Sequence, residues 1–205
     1  MNVTGNDIVH LDARAVRGTV SLVAGIGPAD LARPTPCDQW TLAELLTHMT
    51  AQHDGFAAAA AGEGGDLARW QPQARTGASA ADLVLAYTAA AERVIKAFGA
   101  DGVLDREFEL AEFSMMPRFP AAQAVSFHLV DYVVHGWDVA RSLGLPYQSE
   151  PDLLAATLPM ARAVPDGDLR TQGLVPFAPR IPVAGDAGVL DQILGLLGRR
   201  PAWPD

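Results

Sequence analysis

Between residues 6 and 24 the side chains of Ile8, Leu11, Ala15, Thr19, Leu22 and Val23 recur close to the helical repeat, and Gly25-Ile26-Gly27-Pro28 ends the run. This pattern predicts a first helix. A proline-punctuated stretch, LARPTPCDQW, separates it from a second, predicted over residues 42–60. Thr41 is placed to cap that helix, Glu44 to close the capping box, and Trp40 to staple against Leu45, while the glycines of residues 62–65 mark the exit. Ser79 and Asp82 repeat the capping signature ahead of AADLVLAYTAAAERVIKAF, a third helix stopped by Gly99. Residues 101–119 lose the helical period; EFELAEFSMM reads as extended, ends at Pro117, and is placed across the mouth of the bundle. Pro120 suits the first turn of a fourth helix running to about Leu143, with Gly144 as its left-handed cap. Shorter helices are expected over residues 152–163 and 188–197, separated by the loop of Pro176, Pro179 and Pro182. The expected fold is all-α: an antiparallel four-helix bundle of residues 1–205 in one domain, with residues 150–205 as a C-terminal excursion packed on it.

Composition narrows the partners. The 205 residues suffice for one substantial core. With 24 acidic against 15 basic residues the formal charge is -9, and no basic patch offers itself to a phosphate backbone, so nucleic acid is not an expected partner. The lone Cys37 has no disulfide mate and Cys-rich zinc spacings are absent, which fits a cytoplasmic setting. Neither a basic-then-apolar leader nor an apolar run of membrane-spanning length is present, so secretion and membrane insertion are not expected. Pairing with a second copy of the chain stays open.

The chemistry concentrates on the fourth helix. In HLVDYVVHGWDVARSLG, residues 128–144, His128, Asp131, His135 and Asp138 recur at intervals of three, four and three and share one polar stripe. Asp131 and His135 lie roughly 6 Å apart along the axis at about 1.5 Å per residue, close enough for both side chains to meet one ion. An imidazole with a carboxylate suits zinc, nickel or iron better than calcium. The same spacing also describes an ordinary i,i+4 hydrogen-bonded pair. His48 lies two turns into the second helix, on the side of Glu44 and Gln52, and His53 is rotated away from it. His128 is open to three roles: ligand, proton carrier or helix packing, with pocket lining the favoured one. Arg118, in the predicted mouth segment, is a candidate to grip a substrate carboxylate, against a reading as an exposed solubilising charge. Phe113, Met115, Met116, Phe127, Tyr132 and Trp137 are candidates for the walls of an apolar pocket, or for the core. Asp138 is open to capping local structure, pairing with Arg141 or supporting a ligand from behind, and Cys37 reads as a small apolar residue.

Three segments carry a resemblance to a known family. WTLAELLTHMTAQH at residues 40–53, HLVDYVVHGWDVARSLG at 128–144 and VAGDAGVLDQILGLLGRRPAW at 183–203 together resemble the DinB-like superfamily, and within it the branch of mycothiol-dependent maleylpyruvate isomerase N-terminal domains and small actinobacterial metal-binding proteins. HGWDVA and GRRPAW are fairly specific to that branch. The resemblance implies a divalent metal held by His48, Asp131 and His135, with Asp at a position that is usually Glu in the isomerase branch. It implies a thiol-dependent transferase or isomerase acting on a small organic substrate, with mycothiol as a possible cosubstrate. A metal-dependent hydrolase or cyclase and a non-catalytic metal-binding protein remain alternatives. The isomerase's likeness to this chain is expected to be confined to its N-terminal portion.

Overall fold

The computed structural model describes residues 5–37, 40–73, 77–113, 117–172 and 176–204. Four long helices form the bundle: α1 (Gly5–Val23), α2 (Leu42–Ala61), α3 (Ala80–Phe98) and α4 (Ala121–Ser142). They are the four elements read from the sequence, displaced by a residue or two at their ends. The capping residues act as expected. Thr41 accepts from the Glu44 amide while the Glu44 carboxylate receives the Thr41 amide at 2.8 Å, and Ser79 and Asp82 repeat the arrangement on α3. Gly62 and Gly144 take the left-handed conformation that follows a helix end, with φ of 89° and 71°.

α1 packs on α4, and α2 on α3, with α1 also meeting α3. α4 is the central element. Leu129, Tyr132, Val133 and Val139 face the bundle core, whereas Val130, Val134 and Trp137 face outward into a second apolar cluster. A helix apolar on nearly every side must be covered on every side. The C-terminal excursion, with α5 (Pro151–Ala163), a one-turn α6 (Asp168–Thr171) and α7 (Val189–Leu196), supplies that cover, and Ala161, Ile193, Leu194 and, just past α7, Leu197 cluster with Trp137. Arg14 of α1 ties α5 in place by a bidentate bond to Asp152, at 2.6 and 2.9 Å.

The segment before α4 contains a short antiparallel ladder, β1 (Glu107–Glu109) with β2 (Arg118–Pro120), pairing Phe108 with Phe119 and Glu109 with Arg118. The extended reading of this region therefore holds for β1, whereas Met115 and Met116 lie outside the described residues. Among the described residues no helix is long and apolar enough to cross a membrane.

Candidate metal centre

α2 and α4 carry the residues of interest on facing surfaces. His48, Asp131 and His135 each offer one donor atom, and these three atoms all lie within 4.8 Å of one another. His135 Nε2 is 3.3 Å from Asp131 Oδ1, and the His48 ring stands edge-on to His135 with centroids 5.4 Å apart. Ligands at about 2.0–2.2 Å from a tetrahedral zinc ion stand about 3.3–3.6 Å from each other, so small rotations of these side chains reach that geometry. The i,i+4 contact between Asp131 and His135 is present, as an ordinary helical pair would also show. What distinguishes it is the arrival of His48 from another helix.

A second group, Cys37, His135 and Asp138, shares the His135 imidazole through its other nitrogen. His135 Nδ1 lies 2.9 Å from Asp138 Oδ2, and Cys37 Sγ donates to the same oxygen at 3.1 Å. Arg199 enters from beyond α7, placing Nε 3.2 Å from Asp138 Oδ1 and Nη2 2.8 Å from Cys37 Sγ. A guanidinium in this place repels a second cation, so an ion belongs on the Nε2 side. Asp138 then fixes the His135 tautomer from behind, as a carboxylate does for a metal-bound imidazole.

The electrostatics follow from burial and these partners. Burial opposes protonation of His135, but Asp131 and Asp138 outweigh it and raise its pKa well above the ordinary value. An ion at Nε2 would compete with the proton that these carboxylates favour. His48 is driven the other way, to about 4, by burial and by the neighbouring His135, so it stands ready as a neutral donor. Burial opposes ionisation of Asp138, but Arg199 and His135 prevail and hold its carboxyl down at about 2. Burial, reinforced by Asp138, pushes the Cys37 thiol up.

The three donors open onto a cavity of about 470 Å³. Trp40, Phe56, Phe113, Phe127 and Phe177 form apolar parts of its wall, and Gln52 and Glu112 form a polar part. Trp40 lies against the His48 ring, with centroids 4.6 Å apart.

Several expectations require correction. His128 does not line this cavity. It is fully buried, with Nδ1 2.7 Å from Asp12 Oδ1 and Nε2 3.1 Å from His53 Nδ1, so both nitrogens face core partners. Arg118 is exposed on β2 and pairs with Glu109 at 3.3 Å; strand alternation turns it to solvent while Phe119 turns inward. Asp138 pairs with Arg199 instead of Arg141, whose Nε donates to the Trp203 carbonyl at 3.0 Å. Tyr132 and Trp137 are core residues, Phe113 and Phe127 are wall residues, and the expected apolar Cys37 sits in a polar cluster.

Arg199 was not among the residues singled out from the sequence. Its signal was the GRRPAW ending, but its role depends on a turn. Gly198 has φ of 75°, and a Cβ there would lie 2.6 Å from the Ala178 carbonyl oxygen. That glycine lets the chain reverse after α7 and return Arg199 beneath α4.

Comparison with known proteins places this geometry among relatives. The family model for the mycothiol maleylpyruvate isomerase N-terminal domain matches residues 13–140. Two proteins of Mycobacterium tuberculosis, uncharacterized protein Rv0738 of strain H37Rv and uncharacterized protein MT0763 of strain CDC 1551, are each 28% identical over 191 residues, covering 91% of this chain and 94% of theirs. Among solved structures, the mycothiol-dependent maleylpyruvate isomerase matches with a TM-score of 0.60 at 14% identity, covering 87% of this chain and 75% of the isomerase chain. A histidine-to-alanine variant of that isomerase matches with a TM-score of 0.62 at 12% identity and the same coverage. The fold likeness covers 87% of this chain and so extends beyond residues 13–140, the span of the family model.

Proposed function

The chain belongs to the mycothiol maleylpyruvate isomerase N-terminal domain family, and we propose that it is a cytoplasmic, divalent-metal-dependent enzyme of the thiol-dependent transferase or isomerase class, acting on a small organic substrate. The observation that carries this reading is the meeting of His48 with Asp131 and His135 on the wall of a cavity large enough for such a substrate. Two imidazoles and one carboxylate form a donor set suited to zinc, with nickel and iron also compatible. Among the described residues no fourth His, Cys, Asp or Glu joins these three, so the group is open toward the cavity as a catalytic site requires.

A divalent ion held there supplies Lewis acidity and lowers the pKa of a thiol or water that reaches it. The protein's own groups do the rest. Asp138 accepts the Nδ1 hydrogen of His135, which would leave its Nε2 lone pair free for an ion, while Arg199 keeps Asp138 ionised. Trp40 restricts the rotation of His48. The aromatic wall excludes water from one side of a bound substrate and favours an apolar or planar reactant beside the donors.

The test is elemental analysis of the wild type beside His48→Ala and His135→Ala, each loaded with zinc and desalted. Wild-type protein should retain about one equivalent and both variants far less; full retention by both would refute the assignment. Turnover screens with and without mycothiol then separate thiol chemistry from hydrolysis, because a hydrolase would yield the same product without the thiol.

A further inference from the structure

The cavity wall carries its charge unevenly. At one end stand His48, Asp131 and His135, and Arg199 at the back is neutralised by Asp138. At the mouth, Glu112 contributes a carboxylate whose Oε2 accepts from Gln52 Nε2 at 3.0 Å. Gln52 is buried and follows His48 by one turn of α2, about 6 Å along the axis, so this pair adjoins the donor face. Phe56 lies on the same wall one turn farther along α2, and Phe113, next to Glu112, stacks on Phe127 with centroids 5.6 Å apart. The chemical sequence along the cavity is therefore metal-type donors, a polar pair with one negative charge, and an aromatic surface.

A ligand that binds the ion through one end places its other end against this mouth. With Asp131 already present, a second carboxylate brought by the ligand would face Glu112 and be repelled. An ammonium, hydroxyl or amide N–H would instead donate to it. Gln52 holds the Glu112 carboxylate in place and leaves Oε1 to receive such a donor.

We propose that the Gln52–Glu112 pair is the specificity element of this pocket, selecting a low-molecular-weight thiol that carries a hydrogen-bond donor a few bonds from sulfur and rejecting thiols that end in a carboxylate. The inference rests on the metal-and-thiol reading above and adds the chemistry of the ligand's second end. It also assigns a role to a residue in the segment between the two β-strands, which the metal donor set leaves unused.

The experiment uses the full chain loaded with Co²⁺, whose near-ultraviolet sulfur-to-cobalt absorption reports thiol binding without turnover. Cysteamine, 2-mercaptoethanol and 3-mercaptopropionate carry a thiol on the same two-carbon spacer with a positive, a neutral and a negative second end; because their thiols differ in acidity, each preference is read as wild type against Glu112→Gln. At about pH 8 and low salt, the preference for cysteamine over 3-mercaptopropionate should be about tenfold greater in the wild type than in Glu112→Gln, with this difference shrinking as salt is added because Glu112 is solvent-accessible. Glu112→Gln, which keeps the shape of the side chain, should retain only the preference set by thiol acidity, with 2-mercaptoethanol affinity nearly unchanged. Unchanged cobalt d–d bands in the variant establish that the donor set is intact, and the salt dependence of the wild-type preference tests the proposal even without the variant. A preference of the same size in wild type and Glu112→Gln would overturn the specificity assignment alone. No sulfur band with any of the three thiols would overturn the thiol reading and this inference with it.

Discussion

Replacing Arg199 by methionine should destabilise the protein much more than it weakens metal binding. Asp138 has no exposed surface and the Arg199 side chain is 8% exposed, so their pairing is hardly screened by solvent. Among the described residues, removing the guanidinium leaves a buried carboxylate supported by His135 and the Cys37 thiol. One-sided loss of a buried ion pair costs about 3–5 kcal/mol. For a chain of this size, that corresponds to a fall in Tm of about 6–20 °C at about 2–4 °C per kcal/mol. Chelator-treated protein should be used in the calorimeter, so that bound ion does not contribute to the stability of the folded state.

Metal affinity separates the contributions of the two partners. Arg199→Met preserves the carboxylate that accepts from His135 Nδ1, and removing a nearby positive charge favours a cation, so zinc affinity should be unchanged or somewhat higher. Asp138→Asn removes the carboxylate behind the imidazole and should reduce affinity about 10–100-fold. The double variant Arg199→Met/Asp138→Asn should recover part of the lost stability, because no unpaired buried charge remains, while retaining the weak affinity of Asp138→Asn. A Tm for Arg199→Met within about 2 °C of wild type would refute the view that this pair holds the excursion to the site, since that is less than one kcal/mol.

Two further perturbations probe the core behind the site. Burial and the adjacent His128 hold the His53 pKa well below 6.5, so the unfolded chain takes up a proton that the native state refuses as pH falls below about 6.5. Stability should therefore decline from pH 7.5 to 5.5 more steeply in wild type than in His53→Gln, by up to about 1.4 kcal/mol per pH unit; parallel urea midpoints for the two would refute this. Gly64→Ala places a Cβ 2.0 Å from the Glu109 carbonyl oxygen and 2.6 Å from the Ala59 Cβ. Since backbone must move to relieve the first contact, the cost should lie at the upper end of about 1–3 kcal/mol, and an unchanged denaturation midpoint would count against the close packing of this loop on β1.

The long helices were legible in the sequence because their signals are local. A capping box lies within four residues, a glycine cap follows the last turn, and an apolar stripe repeats along one segment, so Thr41, Ser79, Gly62 and Gly144 act as their patterns predict. Asp131 and His135 were legible for the same reason, since four residues of helix fix their separation. Spacing could not bring His48 to them; it stood as a separate polar candidate whose ligand role came with the family resemblance, and its 83-residue separation from Asp131 is closed by the packing of α2 beside α4. Nor could spacing divide the polar stripe of α4. His128 and His135 have the same residue type and lie two turns apart, yet α1 and α2 cover the first with Asp12 and His53 while the second opens to the cavity. Arg199 and Cys37 lie 162 residues apart, and their contact exists only because the apolar outer face of α4 draws the C-terminal excursion over it. Sequence alone determined which segments coil and which neighbours along a helix share a face, because hydrogen bonding and periodicity act over a few residues. The tertiary structure decided which polar side chains became core, which met at the donor group and which stayed in solvent, because burial depends on what another part of the chain places opposite.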